Sequence, residues 1–168
     1  LSREYCIPAF VATGESTINL NDISCDIELK KRLKGVIAVS TKCKDESISL
    51  GLCTEEDVEV FPNAIDSKIF FLQNKINCRN KLNISLDKFV IAYVGYFNER
   101  KGSKRVSKVL DRFNDVYSIF IGSGNDRPDC KNQLYTGPLP HREISKYLNA
   151  ADVFVLPTLH EGCCNAII

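Results

Sequence analysis

Glu161-Gly162, followed by Cys163, Cys164 and Asn165, is the densest group of residues in this sequence that could do chemistry. The pair follows the apolar run VFVLP (153–157) and reads as the opening of a helix. In an open α/β sheet, ligands sit outside the carboxyl ends of the strands, where such a turn must lie. The glycine lets a ligand approach the main chain, and the N–H groups of Cys163, Cys164 and Asn165 would be unpaired donors at a positive helix end. That is chemistry for a diphosphate. Like charges repel, so Glu161 is better placed on sugar hydroxyls; the plainer reading is an acid near a helix start, where acids are common. Arg100-Lys101-Gly102 stands at the same sheet edge, where a flexible ammonium can neutralise a phosphate as charge builds on a leaving group. Lys104, Lys108 and Arg112, at i, i+4 and i+8, read as a solvated basic face. Gly122-Ser123-Gly124 fails as a dinucleotide fingerprint, since no third glycine and no helix follow. It is a plain turn or one that lets a nucleotide lie against a strand end.

Other chemistries find little support. No Asp-x-Asp occurs, and His141 and His160 read as surface or loop residues. The eight cysteines, at 6, 25, 43, 53, 78, 130, 163 and 164, include no Cys-x-x-Cys, so zinc-ligand spacing is missing and no metal or other cofactor is expected. Adjacent Cys163 and Cys164 cannot bridge without strain. The long buried-strand patterns point to free thiols in a reducing compartment rather than a disulfide scaffold.

The elements that would position these groups alternate between strand and helix. FVIAYVG (89–95) is a near-continuous apolar run, as a strand buried on both faces requires. Val106, Val109, Leu110 and Phe113 give a helix with one apolar stripe, YSIFIG (117–122) and LYTG (134–137) are strands, and Ile144, Tyr147, Leu148 and Ala151 mark a second helix before VFVLP. The first part has the same order: IPAFVATG (7–14), a helix over Cys25–Leu33, VIAVS (36–40), a short helix completed by Ser47–Leu52 and closed by Gly51, then extended VEVFP (58–62). Residues 63–88 are polar and irregular and read as a connection. The expected class is α/β, with a parallel sheet in each part.

Composition agrees. The chain has 168 residues, 44% hydrophobic and 26% charged, with a net charge of +1. It can bury a core, and no global basic field recruits nucleic acid. It starts at Leu1 and contains no Met, so we expect an internal piece of a longer protein.

Three stretches, VIAVSTKCKDESISLGLCTEEDVEVFPNAID (36–66), YVGYFNERKG (93–102) and ADVFVLPTLHEGCCNAII (151–168), together resemble the GT-B glycosyltransferases of family 4, retaining enzymes that use nucleotide-sugar donors. The resemblance implies that residues 1–62 end an acceptor-side Rossmann-like domain, 63–88 link the domains, and 89–168 begin the nucleotide-sugar-binding one. It implies a donor site drawn from Gly95, Arg100, Lys101, Gly122, Gly124, Leu139, Glu161, Gly162, Cys163, Cys164 and Asn165, with Lys101 and Glu161 in the chemistry. The loop 137–140 corresponds to the one whose main chain reads the base. Two departures stand out: Tyr96 occupies the position of a usual arginine, and Thr13-Gly14-Glu15 lacks a histidine that many members carry. The partners implied are a nucleoside diphosphate sugar and a saccharide or lipid-linked saccharide acceptor. The implied location is the cytoplasm, with any peripheral association at the inner face of the membrane left to regions outside this chain. Competing readings are a GT-B epimerase or phosphorylase, and a module that binds nucleotide sugars without chemistry. The family's second glutamate falls one position after Ile168. Sequencing the intact gene is expected to show glutamate there, followed by a continuing helix; any other residue would favour the binding-only reading.

Overall fold

The computed structural model describes residues 8–14 and 27–168. The chain divides into two units, residues 1–64 with 160–168, and residues 65–159. In the first, β1 (Ala9–Thr13), β2 (Leu33–Ala38) and β3 (Val58–Val60) form a parallel sheet in that order. Among the described residues, α1 (Ile27–Arg32), α2 (Thr41–Ser49) and a short 3-10 turn at Glu55–Asp57 accompany it. Ser40 caps α2 by accepting the Cys43 N–H at 3.3 Å, as a serine before a helix does best. Gly51, at φ +64°, closes it through N–H donation to the Ile48 carbonyl. Val36, Ala38, Cys43 and Val58 make the core of this unit.

The second unit is built on β4 (Phe89–Val94), β5 (Val116–Ile121), β6 (Gln133–Gly137) and β7 (Val153–Phe154). All four are parallel, in the order β6-β5-β4-β7. Helices α3 (Lys75–Lys81), α4 (Ser103–Leu110) and α5 (His141–Ala150) complete it. Side chains of successive strand residues point to opposite faces, so apolar runs fill two cores. Val90, Ile119 and Ile121 join Cys78 of α3 and Ala150 of α5 in one core. Tyr93 and Phe120 join Val106 and Leu110 of α4 in the other.

Four sequence expectations change. The stretch 63–88 is not all connection: residues 65–88 group with the second unit and contain α3, a polar helix held by one buried arginine. The apolar stripe of α4 is narrower than its spacing suggests, because the helix ends at Leu110 and leaves Val109 and Phe113 about half exposed. β7 has two ladder residues, with one more bond from the Val155 N–H to the Ala92 carbonyl. Leu33 opens β2 rather than ending a helix, and Cys25 lies outside the described residues, as does Glu15. Cys43, Cys53, Cys78, Cys130, Cys163 and Cys164 carry no disulfide, while Cys6 is also outside the described residues.

The buried arginine is Arg79, 3% exposed. Its guanidinium donates to Asp152 Oδ2 at 2.6 Å, to the Ala150 carbonyl at 2.9 Å and to the Leu86 carbonyl at 3.0 Å. Asp152 Oδ2 also accepts the Val90 N–H at 2.7 Å, and Oδ1 accepts Lys75 Nζ at 3.0 Å. Burial works against the Asp152 charge, but the Val90 and Lys75 hydrogen bonds and the Arg79 and Lys75 charges outweigh it. The carboxyl pKa therefore lies below its ordinary value.

A depressed native pKa contributes stability that is complete above the unfolded value of ~3.9 and is lost as pH falls through the native one. Asp152→Ala leaves Arg79 buried without its counter-charge and is expected to cost about 3 kcal/mol at pH 7 in urea unfolding. The gap between variant and wild type is expected to shrink below about pH 4, as the wild-type carboxylate protonates. An equal gap at both pH values would count against the assignment.

Candidate functional site

In the second unit, parallel strands bring the exits of β4, β5 and β6 to one edge of the sheet. A cleft of about 240 Å³ opens there, lined by Gly95 and Tyr96 after β4, Gly122 and Ser123 after β5, and Leu139 and Ile144 beyond β6. Clefts at strand carboxyl ends are where this architecture binds ligands. The walls are mostly apolar or main chain, which suits a flat, weakly charged ring better than an ion. Gly95, Gly122 and Leu139 thus meet in one place.

Hydrogen bonding continues past the strands into these loops. The Gly95 N–H donates to the Ile121 carbonyl at 2.9 Å, Phe97 to Ser123 at 2.7 Å, Gly122 to Gly137 at 2.9 Å and Asp126 to Phe97 at 3.0 Å. Gly122 and Gly124 have φ of +154° and +139°, and a Cβ on either would run into main chain, the Gly95 carbonyl oxygen and the Phe97 backbone respectively. The glycine pair is therefore required by two loops packed against each other. That steric need exists before any ligand arrives.

Arg100 and Lys101 lie in the β4–α4 loop, at the same edge of the same unit. Asn98 shapes this loop: its Oδ1 accepts the Lys101 N–H at 2.9 Å and its carbonyl accepts the Gly102 N–H at 3.0 Å. Gly102, at φ +77°, then starts α4. Both Arg100 and Lys101 are half-buried in this loop. Lys104, Lys108 and Arg112 are exposed, as a solvated face requires, with Lys104 Nζ 2.9 Å from Asp126 Oδ1.

Glu161, Gly162, Cys163, Cys164 and Asn165 group with the first unit and are described with it; the first four are half-buried and Asn165 is exposed. The expected helix does not open there. A helix would take the Ile167 N–H to the Cys163 carbonyl, but Ile167 donates to Cys164 at 3.0 Å, making a single turn. The Cys163 carbonyl is instead taken by the side chain of Asn63, at 3.1 Å, and the same amide nitrogen reaches Asn165 Oδ1 at 2.7 Å. Both N–H bonds of one amide thus hold the segment. Sequence reasoning missed Asn63 and Asn98 as fixing residues. Asn98 left a signal, an asparagine three residues before Lys101, whose short side-chain oxygen readily accepts a nearby main-chain N–H. Asn63 left none, because its partner is 100 residues away.

Among the described residues, no three His, Cys, Asp or Glu side chains are gathered as metal ligands, and no helix is long and apolar enough to cross a membrane.

The family described as glycosyl transferases, group 1, matches residues 74–168. A Bacillus subtilis protein named as the teichuronic acid biosynthesis glycosyltransferase TuaC is 31% identical over 79% of this chain and 35% of its own length. The GPI3 subunit of phosphatidylinositol N-acetylglucosaminyltransferase from Saccharomyces cerevisiae is 27% identical over 76% of this chain and 31% of its own. Among solved structures, Anabaena Alr3699/HepE in complex with UDP-glucose superposes with a TM-score of 0.72 at 16% identity, covering 94% of this chain and 48% of that one. Sucrose-phosphate synthase from Thermosynechococcus elongatus gives 0.71 at 17%, covering 90% and 41%. The chain spans about a third of the length of these curated relatives. The shared fold is the GT-B one, with parallel sheets between helices.

The packing of the two loops is open to test. Gly122→Ala, at a positive φ and against the Gly95 carbonyl, is expected to cost about 2 kcal/mol in urea unfolding. Gly14→Ala, with no atom of the described residues within 4 Å of its Cβ, is expected to stay within about 0.5 kcal/mol of wild type. Equal behaviour of the two variants would remove the steric argument.

Proposed function

The chain belongs to the group 1 glycosyl transferases, and from that premise we propose that the whole protein transfers a sugar from a nucleoside diphosphate sugar to an acceptor, retaining its configuration as family 4 enzymes do. The observation that carries this reading is the cleft at the exits of β4, β5 and β6, in the unit that also bears the Lys101 loop. Its mostly apolar lining suits a nucleobase, with the main chain of Leu139 assigned to the base edge. The HepE structures hold UDP or UDP-glucose, which supports a ligand of that class here.

Transfer breaks the bond between the sugar's anomeric carbon and the diphosphate, so negative charge grows on the departing oxygen. Lys101 is the cation assigned to that charge, with Arg100 beside it in sequence. Glu161 is assigned to the sugar hydroxyls. No protein nucleophile and no metal are assigned. The acceptor is a saccharide or lipid-linked saccharide, a reading supported by relatives named for teichuronic acid and phosphatidylinositol chemistry. We place the reaction in the cytoplasm, at the inner face of a membrane where the acceptor is lipid-linked.

The test is donor hydrolysis by the whole protein over a panel of nucleotide sugars that begins with UDP-glucose. Lys101→Ala is expected to lower kcat by roughly 10²–10³, the range for removing one preorganised charge-stabilising group. The main-chain N–H that Lys101 donates to Asn98 is kept in that variant. Lys104→Ala, whose exposed ion pair contributes little, is expected to keep turnover and cost under about 0.5 kcal/mol in stability. Equal turnover in both variants would assign Lys101 to the solvated basic face. Donor binding without any hydrolysis in the wild type would favour a module without chemistry.

A further inference from the structure

Arg105 stands in the first turn of α4, where the positive end of the helix disfavours a cation. Its guanidinium folds back over the turn that precedes the helix. Nη1 donates to the Glu99 carbonyl at 2.6 Å, and Nη2 to the Arg100 carbonyl at 3.2 Å and to the Pro157 carbonyl at 2.7 Å. The first two acceptors flank Lys101 on its N-terminal side. The third lies on the segment leaving β7. The Arg100 carbonyl also accepts the Leu159 N–H at 3.0 Å, so the two segments are joined by main chain and side chain together.

A second observation points to the same group. A Cβ on Gly102 would come within 2.7 Å of the Arg105 Cζ, so the residue beside Lys101 is bare where the guanidinium lies over it. A planar fork with five donors can serve three carbonyls at fixed angles, whereas a lysine ammonium is a point charge on a flexible stem.

We infer that Arg105 is a positioning residue for the transfer reaction, clamping the Lys101 loop to the segment leaving β7 so that the Lys101 ammonium is held where charge develops. This rests on the role proposed above for Lys101. The three main-chain carbonyls, not the donor, are the partners assigned to Arg105. Its work is to remove freedom from the loop before the donor arrives, so its loss is read in kcat, through Lys101, more than in donor binding.

The experiment uses the whole protein with Arg105→Lys, Arg105→Ala, Lys101→Ala and the double variant Arg105→Ala/Lys101→Ala. It measures kcat and KM for donor hydrolysis, UDP affinity by calorimetry, and thermal unfolding. Both Arg105 variants are expected to lose roughly 10–100-fold in kcat, the scale on which a displacement of about 1 Å acts. UDP affinity is expected to change by less than about threefold, and adding Arg105→Ala to Lys101→Ala to cost less than about threefold more, since two residues acting through one group are not additive. Full activity in Arg105→Lys would show that charge alone suffices and overturn the clamp. A loss in the double variant equal to the product of the single losses would also overturn it. If Arg105→Ala does not fold, Arg105→Lys and its double with Lys101→Ala carry the same comparison. If Lys101→Ala leaves kcat unchanged, the role proposed for Lys101 fails and takes this inference with it. If Lys101→Ala lowers kcat and the Arg105 variants do not, this inference fails alone.

Discussion

A guanidinium cannot be left unpaired in a protein interior, and the second unit is organised around meeting that demand. Arg79 is carried in by α3, and its partners come from the end of α5, the loop before β4 and the residue before β7. Asp152 does double service, because the oxygen that faces Arg79 also receives the first buried N–H of β4. Register between β4 and β7 is thereby fixed at the amino ends, where the ladder itself is two residue pairs long. With the amino ends fixed, the carboxyl ends emerge side by side. The β4–α4 loop and the segment after Phe154 can then be joined by hydrogen bonds.

Most of the strand pattern was legible because burial on both faces demands unbroken apolar runs, and FVIAYVG and YSIFIG could be little else. The helix α3 was not legible. Its sequence, KINCRNK, has two apolar residues, Ile76 and Cys78, on opposite sides of the helix, and what holds it is an ion pair with Asp152, 73 residues further on. Helical spacing overstated the reach of α4 for a related reason. Periodicity shows which residues share a face but not where the neighbouring sheet stops covering it. The β7 run was overstated too, because the last ladder bond is the one from the Val155 N–H to the Ala92 carbonyl and the chain beyond it runs as a loop.

The candidate site divides in the same way. Gly95, Gly122 and Leu139 were legible as a group because each follows a strand in a parallel sheet, and topology brings such positions to one edge. Their chemistry was less so: the glycine pair looks like room for a ligand, yet its geometry is already demanded by the Gly95 and Phe97 main chain. After Gly162 the chain makes a single turn in place of the expected helix, and the Cys163 carbonyl accepts from the side chain of Asn63. Nothing in a sequence marks which carbonyl a distant side chain will take, since every residue supplies the same acceptor.

That sameness has a consequence for how such a loop can diverge. Asn63 and Arg105 direct donors at main-chain oxygens of Cys163, Glu99, Arg100 and Pro157, so the grip is indifferent to the side chains at those four places. Substitutions there can change the charge, size and polarity presented to a ligand while the backbone path stays as it is. Selection can therefore retune which molecules the loop accepts, one residue at a time, without first having to rebuild the scaffold that carries it.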